Sequence, residues 1–294
     1  GATPSDTVQD SPIPGDWNPQ NYDRSFHGTV SYRTALTYSY NVPAVKVAMK
    51  YGTEKTLKLA KRLGITTLVD DDDNAAMALG GLTHGVTPLE MAGAYAGIAN
   101  MGKFNKPTPI VKILDRNGKV LYEHKTNPTQ AVKPETAYMM ISMMEDVMTR
   151  GTGRGAAINR PCAGKSGTTD TYHDAWFVGF TPNLACAVWI GDDNNESLGG
   201  MTGGGEPATL WRTFMSNALE GVPSEDFETP DGFKMPAPKY EAPKAQPKKE
   251  TTKKKDTKKQ SSKKEDSLPG DGNVPQPPRS GKSSTPPPVR PPKQ

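Results

Sequence analysis

The chain has 294 residues, a formal net charge of +4 and a hydrophobic content of 34%, which is low for one uniformly packed domain. Residues 222–294 account for the deficit, since they hold 15 of the 28 prolines, none of the four tryptophans, and 16 Lys and Arg against 10 Asp and Glu. Residues 1–221, with 20 Lys and Arg against 22 Asp and Glu, are therefore expected to form a slightly acidic folded body.

Cysteine and histidine usage argues against a disulfide scaffold and against a metal site. Cys162 and Cys186 are the only cysteines, and they fall on segments that we place two strands apart, so we expect free, buried thiols. The four histidines show no His-x-x-x-His spacing, and no Cys-x-x-Cys pair is present, so we expect no metal and no other cofactor. No apolar run reaches the roughly 18 to 20 residues that a membrane span requires.

Four helices are predicted in the first hundred residues. Pro43 suits a first helical turn, and Gly64 suits a helix end. The acidic run 70–74 invites a calcium interpretation, but it lacks the spaced glycine and the final glutamate of a calcium loop. A solvated loop that caps the next element is the better interpretation. The predicted helices cover residues 31–38, 43–52, 53–63 and 88–100.

The second part of the body is predicted to contain a hairpin and a methionine-rich helix. The hairpin joins residues 110–114 to 120–123 through a turn at Asn117-Gly118. The helix covers residues 134–148, and methionine at this spacing fills a core and implies no cofactor. Its inward face comprises Met140, Met143, Met144, Val147 and Met148.

Three strands and a last helix complete the predicted body. The strand that carries Lys165 and the strands 174–180 and 184–190 should form an antiparallel meander. A helix over residues 207–219 should cover one face of this sheet. Its inward residues are predicted to be Leu210, Trp211, Phe214 and Ala218. The fold class is therefore α/β (α+β), an antiparallel sheet flanked by helices.

The run Gly164-Lys165-Ser166-Gly167 can be tested against two kinds of chemistry. A phosphate-binding loop needs a glycine five residues before Gly164 and a helix after it, but position 159 is Asn and the residues that follow alternate like a strand. Lys-Ser-Gly on a strand instead has the form of the Lys-Thr/Ser-Gly box of the penicillin-recognising serine enzymes.

A second short motif is Ser39-Tyr40-Asn41, on a connection between two predicted helices. A hydroxyl and an amide two residues apart can point together into a cleft, where the hydroxyl relays a proton and the amide binds a peptide. Helix termination by Ser39 and helix capping by Asn41 are the simpler explanation of the motif taken alone. The Lys-Ser-Gly run follows this motif along the chain in the expected order, and this favours the catalytic interpretation of Ser39 and Asn41.

Together these motifs resemble the transpeptidase domain of penicillin-binding proteins, most closely the bifunctional class A type. The resemblance runs from about Trp17 to about Gly221, and it includes the stretches 80–95 and 151–157. It implies a penicillin-binding-protein/serine β-lactamase-like fold, incomplete at the N-terminus here, because the N-terminal strands and the nucleophile helix of the family are not matched.

The resemblance implies a D,D-transpeptidase that acts on peptidoglycan stem peptides and is acylated by β-lactams. Ser39 would pass a proton and Lys165 would supply a positive potential, while Asn41 would hold the amide of the stem peptide. The remaining implied contacts are to the terminal carboxylate and the backbone of the substrate, and they come from Ser166, Gly167 and Thr168.

One departure from the family pattern concerns the nucleophile, which is the serine of a Ser-x-x-Lys box. The only serine with a lysine three residues later is Ser261, paired with Lys264 in the basic tail. We therefore expect the nucleophile in an upstream segment of the same parent protein, outside the cytoplasm and associated with membrane or cell wall. The fragment alone is expected to be inactive and prone to aggregation.

Two other functions remain open from the sequence. One is a D,D-carboxypeptidase or β-lactamase relative, and the other is a non-catalytic wall-binding or scaffolding fragment. Residues 222–294 are expected to be a disordered Lys/Pro/Ser-rich tail. Its charge could contact an anionic wall polymer or a membrane surface, whereas specific nucleic-acid binding is not expected because no aromatic residue lies among the lysine runs.

Overall fold

The computed structural model describes residues 2–237, and six α-helices lie within that range. All the predicted helices are confirmed, although the second begins at Asn41, two residues before Pro43. Gly64, the predicted end signal, follows the third helix in a left-handed conformation with φ of +91°. The helices are α1 Tyr32–Thr37, α2 Asn41–Tyr51, α3 Thr53–Arg62, α4 Pro88–Ala99, α5 Pro134–Thr149 and α6 Glu206–Ala218.

The strands of the described residues form three two-stranded pairs and one three-stranded sheet, all antiparallel. β1 pairs with β2, β3 with β6, and β4 with β5, while the large sheet has the order β7-β8-β9 that was predicted as a meander. The strands are β1 Thr7–Asp10, β2 Gly28–Ser31, β3 Lys103–Phe104, β4 Lys112–Leu114, β5 Val120–Glu123, β6 Thr129–Gln130, β7 Ala163–Thr168, β8 Asp174–Phe180 and β9 Ala185–Gly191.

The three-stranded sheet is covered on both faces, and this explains why β8 is an almost continuous apolar run. On one face Phe177 packs edge-on against Trp211 of α6, with ring centroids 5.5 Å apart. On the other face Phe180 packs in a cluster with Ile141 and Met144 of α5. Both phenylalanines are fully buried, so the sheet is held between helices and provides a rigid base for β7.

The inward face of α6 differs from the predicted one. Trp211 is buried as expected, but Leu210 and Phe214 are each 52% exposed and Ala218 is also exposed. Trp211 sets the phase of the helix, and positions 208, 215 and 219 lie within about 80° of it at 100° per residue. The buried stripe is therefore Ala208, Trp211, Met215 and Leu219, which lie in one core cluster.

The packed body extends past residue 221, where the sequence predicted the tail to begin. Phe227 is buried in the cluster that contains Phe180, and Phe233 contacts the ring of Tyr138 edge-on at 5.8 Å. Residues 222–237 are therefore part of the described body, and the rest of the predicted tail, 238–294, lies outside the described residues. Within residues 2–237, no helix combines the length and the apolarity of a membrane span.

The acidic run at residues 70–74 is partly buried, and the two cysteines are unpaired. Asp72 is buried and accepts hydrogen bonds from the backbone and the hydroxyl of Thr83, so the run is less solvated than predicted. Asn74 caps the following 3₁₀ turn as expected, by accepting from Ala76 N. Both thiols are free, Cys162 is buried and Cys186 is only partly buried.

Candidate active site

Ser39 occupies a strained position at the end of α1. Its φ is +58°, in the left-handed region that non-glycine residues rarely adopt. Ser39 N donates to Leu36 O at 3.2 Å and Tyr40 N donates to Ala35 O at 2.9 Å. This pair of bonds is a Schellman motif, whose left-handed position is normally glycine. Such a conformation costs about 1 to 3 kcal/mol and persists only where surrounding contacts hold it.

Lys165 of β7 points at the Ser39 hydroxyl. Its Nζ donates to Ser39 Oγ at 2.7 Å and to Ser166 O at 2.8 Å, so two bonds fix the position of the amine. Desolvation by the surrounding protein lowers the pKa of Lys165 to about 8. A lysine with this pKa is a cation near neutral pH, yet it loses its proton more readily than an exposed lysine.

Asn41 does not cap α2, because it is the first residue of the helix and its amide is used elsewhere. Asn41 Nδ2 donates to Gln20 O at 2.8 Å. The first turn of α2 is instead capped from the loop between β1 and β2, where Asn21 Oδ1 accepts from Val42 N at 3.3 Å. The loop at residues 20–21 therefore holds the Ser39-Tyr40-Asn41 motif from its C-terminal side.

Ser166 and Thr168 lie on the other side of β7 from Lys165, because side chains alternate along a strand. Ser166 Oγ and Thr152 Oγ1 are 2.7 Å apart. Thr168 Oγ1 accepts from Gly203 N at 3.0 Å, so its own hydrogen is free to be donated to a ligand. β7 is an edge strand of the described sheet, so its outer edge is not paired with another strand of that sheet.

Gly167 lies at the centre of this edge and is closely packed. A Cβ on Gly167 would lie 3.3 Å from the Cβ of Trp176 on the paired strand. Gly203, which is not part of the sheet, packs against Gly167. A Cβ on Gly203 would overlap the carbonyl oxygens of Gly167 and Trp176. Bare backbone at both positions lets the segment at Gly203 pack directly against β7.

Sequence reasoning missed three residues that complete this site. Thr152 joins α1 to β7, because its N donates to Thr37 O at 3.3 Å while its hydroxyl contacts Ser166. Gly203 and Asn21 are the other two. The stretch 151–157 was noticed as typical of a family, and the triple glycine at residues 203–205 was a visible signal, whereas nothing in the sequence marked Asn21.

The assembled groups suit acyl transfer to and from a peptide. A lysine ammonium donates to a serine hydroxyl, so that hydroxyl can pass on its own proton while the positive charge stabilises a developing oxyanion. Hydroxyl donors next to a strand edge can hold a carboxylate-ended peptide as an added strand. The hydrogen bond from Lys165 to Ser39 joins the two motifs across 126 residues of sequence.

Comparison with known proteins decides the family. Residues 1–215 match the model of the penicillin binding protein transpeptidase domain. The chain belongs to this family. Its resemblance to the class A type is confirmed by curated relatives: it is 41% identical to penicillin-binding protein 1A of Aquifex aeolicus over 218 residues and 38% identical to penicillin-binding protein 4 of Bacillus subtilis over 200. These matches cover 73% and 67% of the chain.

Solved structures show the same transpeptidase fold. Penicillin-binding protein 1A from Haemophilus influenzae is 28% identical with a TM-score of 0.71, over 79% of this chain and 41% of that one. PonA1 from Mycobacterium tuberculosis in complex with penicillin V is also 28% identical, with a TM-score of 0.70 over 78% and 67%. The chain spans only 29% and 32% of the two curated relatives.

Proposed function

We propose that this chain is the substrate-holding and proton-relaying part of a peptidoglycan D,D-transpeptidase, and that residues outside the sequence supply the acyl-accepting serine. The observation that carries this proposal is the 2.7 Å hydrogen bond from Lys165 Nζ to Ser39 Oγ. It brings together the two motifs that the family uses for acyl transfer, in a partly desolvated environment that suits proton transfer.

The proton path follows from this contact. The external serine attacks the penultimate D-Ala carbonyl, so that an ester C–O bond forms and the amide C–N bond to the terminal D-Ala breaks. The serine proton passes through the Ser39 hydroxyl to the amine of the departing D-Ala. Lys165 donates to Ser39 Oγ, so the proton of Ser39 is the one available to the leaving amine. An amino group of a second stem peptide then attacks the acyl-enzyme, and its proton returns to the serine by the same route.

Substrate binding is assigned to the edge of β7 and to the start of α2. Thr168 and Ser166 would donate to the terminal carboxylate, because a carboxylate only accepts hydrogen bonds. The Thr168 hydroxyl accepts from Gly203 N and keeps its own proton to donate. Gly167 would admit the peptide backbone, and Asn41 would hold its amide. The backbone N–H of Thr168 would be one oxyanion donor, a kind of group worth roughly 3 to 4 kcal/mol.

The cellular setting belongs to the same proposal. A transpeptidase of this kind works outside the cytoplasm at the membrane or cell wall, on peptidoglycan stem peptides, and β-lactams acylate it. The basic residues after 237 would contact an anionic wall polymer or the membrane surface, through an attraction that salt weakens.

Mass spectrometry after incubation with a penicillin tests the proposal. The 294-residue chain and a longer natural polypeptide that contains its upstream segment are compared. Only the longer polypeptide should gain the acyl adduct, and Lys165→Ala should reduce the gain at least tenfold. The matched control is Lys112→Ala, an exposed lysine in a surface ion pair with Glu123, which should leave the adduct unchanged.

The other outcomes distinguish the alternative functions. An adduct on the short chain would show that the nucleophile lies within these 294 residues. No adduct on either polypeptide would contradict the proposal and favour a non-catalytic wall-binding role. Product analysis with and without an acceptor amine separates cross-linking from the simple hydrolysis of a D,D-carboxypeptidase or β-lactamase relative.

A further inference from the structure

The ring of Tyr40, the middle residue of the Ser39-Tyr40-Asn41 motif, is clamped by two other rings. His27 stacks on it with centroids 4.0 Å apart and planes inclined by 10°. Tyr38 lies beside it with a centroid distance of 5.9 Å and an inclination of 28°. The residues on both sides of the strained Ser39 are thus held through their side chains, in addition to the backbone bonds of the Schellman motif.

His27 is itself fixed between two carboxylates. Its Nδ1 lies 2.8 Å from Asp10 Oδ2 and its Nε2 lies 3.0 Å from Asp23 Oδ2. A carboxylate only accepts hydrogen bonds, so both contacts are satisfied together when both ring nitrogens carry a proton. His27 N also donates to Asp10 Oδ2 at 2.9 Å, so the ring has little freedom to turn away from Tyr40.

Asp10 connects this clamp to the other end of the motif. Its side chain is fully buried, and Asp10 Oδ2 also accepts from Asn21 Nδ2 at 2.8 Å. Asn21 in turn caps α2 through Val42 N. One buried carboxylate therefore reaches Tyr40, in the middle of the motif, through His27, and the first turn of α2 through Asn21.

Burying a carboxylate is costly unless its partners compensate the charge, and removing one partner of such a group is strongly destabilising. Here both side-chain partners of Asp10, Asn21 and His27, in turn contact residues within the range 39–42. Ser39 must keep its hydroxyl within 2.7 Å of Lys165 Nζ against the preference of its own backbone. Small displacements of a proton-relaying group lower reaction rates steeply.

We propose that His27, held by Asp10 and Asp23, is a positioning residue that keeps the Tyr40 ring, and with it the Ser39 hydroxyl, in the geometry for proton relay. This inference rests on the proposed transpeptidase function. His27 acts through Tyr40 and touches neither the substrate nor the reacting atoms, so its role differs from those of Ser39, Lys165 and Asn41.

The test separates stacking from hydrogen bonding in the natural polypeptide that undergoes acylation. His27→Phe keeps a flat ring against Tyr40 but loses both carboxylate contacts, whereas His27→Ala loses the ring as well. We expect His27→Ala to lower the acylation rate constant for a fluorescent penicillin about tenfold, and His27→Phe to restore it to within about threefold of the original. The non-covalent dissociation constant should change less than about twofold, because Ser166 and Thr168 are untouched.

Melting temperatures and a matched control complete the experiment. Both variants leave buried Asp10 without its imidazole partner, so both should melt at a similar, lower temperature while differing in acylation. His124→Ala, on the exposed β4–β5 hairpin, should change neither quantity.

Three results would overturn the inference. The first is equal acylation by both variants and the original protein, and the second is acylation that simply follows melting temperature. The third is a loss that appears only in the dissociation constant. Failure of the unaltered protein to be acylated would instead contradict the proposed function.

Discussion

The β7–β9 sheet and the β4–β5 hairpin are both antiparallel and rich in apolar residues, yet they have opposite environments. In the sheet, Phe177, Val178 and Phe180 are buried because helices cover both faces. The seven large apolar residues of the hairpin region are all 44–69% exposed: Ile110, Val111, Ile113, Leu114, Val120, Leu121 and Tyr122. A local sequence pattern is therefore enough to form strands, whereas the elements that cover them determine whether they become part of a core.

Local turn chemistry shapes the hairpin. Asp115 Oδ1 accepts from Asn117 N and Lys119 N, and Gly118 takes φ of +81°. The Asn-Gly turn is therefore part of a five-residue connection, and its glycine adopts the left-handed conformation that such loops require. The sheet, by contrast, depends on helices that are distant in sequence, so the two regions should respond differently to substitution.

The largest effect should come from removing the covering side chain of the sheet. Trp211→Ala leaves a cavity against Phe177 and removes the indole donor to Cys186 O at 3.1 Å. We expect a loss of about 3 to 5 kcal/mol in the free energy of unfolding, measured by urea denaturation. A loss below about 1 kcal/mol would mean that α6 does not stabilise the sheet.

Lys165 should make stability depend on pH in a way that an exposed hairpin lysine does not. Its pKa in the folded chain is about 8, below the ordinary 10.5, so the unfolded chain binds more protons between these values. Stability should therefore rise with pH over that window, by at most about 1.4 kcal/mol per pH unit. Lys165→Met should lose this rise and Lys112→Met should keep it; identical pH curves for both variants would contradict the assignment.

Thr152→Val should have a smaller effect, confined to the site. It removes the hydroxyl partner of Ser166 but keeps the size of the side chain. Under the proposed function, we expect penicillin acylation of the longer polypeptide to fall about threefold to tenfold, as for the loss of one hydrogen bond of about 1 kcal/mol. Thr213→Val, at an exposed position of α6, is the matched control. Equal rates for both variants would show that Thr152 does not orient Ser166.

The smallest effect on stability should come from the hairpin. Leu121 is 62% exposed, so Leu121→Ser should change the free energy of unfolding by less than about 0.5 kcal/mol. Removing one member of an exposed apolar patch should at the same time raise solubility. A loss above about 2 kcal/mol would show that this surface is covered, and the contrast between hairpin and sheet would then disappear.

Much of the fold was predictable because its signals are local. Pro134 at the start of α5, Gly64 after α3 and Asn117-Gly118 in the hairpin each act within a few residues. The inward face of α6 was predicted wrongly because Leu210, Trp211 and Phe214 are all apolar, and the partner that selects among them is Phe177 on another element. Hydrophobicity alone cannot choose the phase of such a helix.

The site was predictable only as far as short motifs could be recognised. Ser39 and Lys165 came from two such motifs, and their contact could not follow from a spacing of 126 residues. Asp10, Asn21 and His27 escaped notice because each is unremarkable in sequence and acquires its role when β1, β2 and the loop between them fold against α2. The strain at Ser39 could not be predicted either, because it lies in the backbone φ angle and not in the residue type.

The left-handed φ of Ser39 sets the stability of the fold against the proposed proton relay at a single residue. Glycine would occupy position 39 with no backbone penalty, and it would abolish the hydroxyl that Lys165 contacts. Under the proposed function, a copy of this gene released from selection for cross-linking would gain stability by acquiring glycine there. Residue 39 would then record at one position whether selection still acts on the hydroxyl or only on the fold.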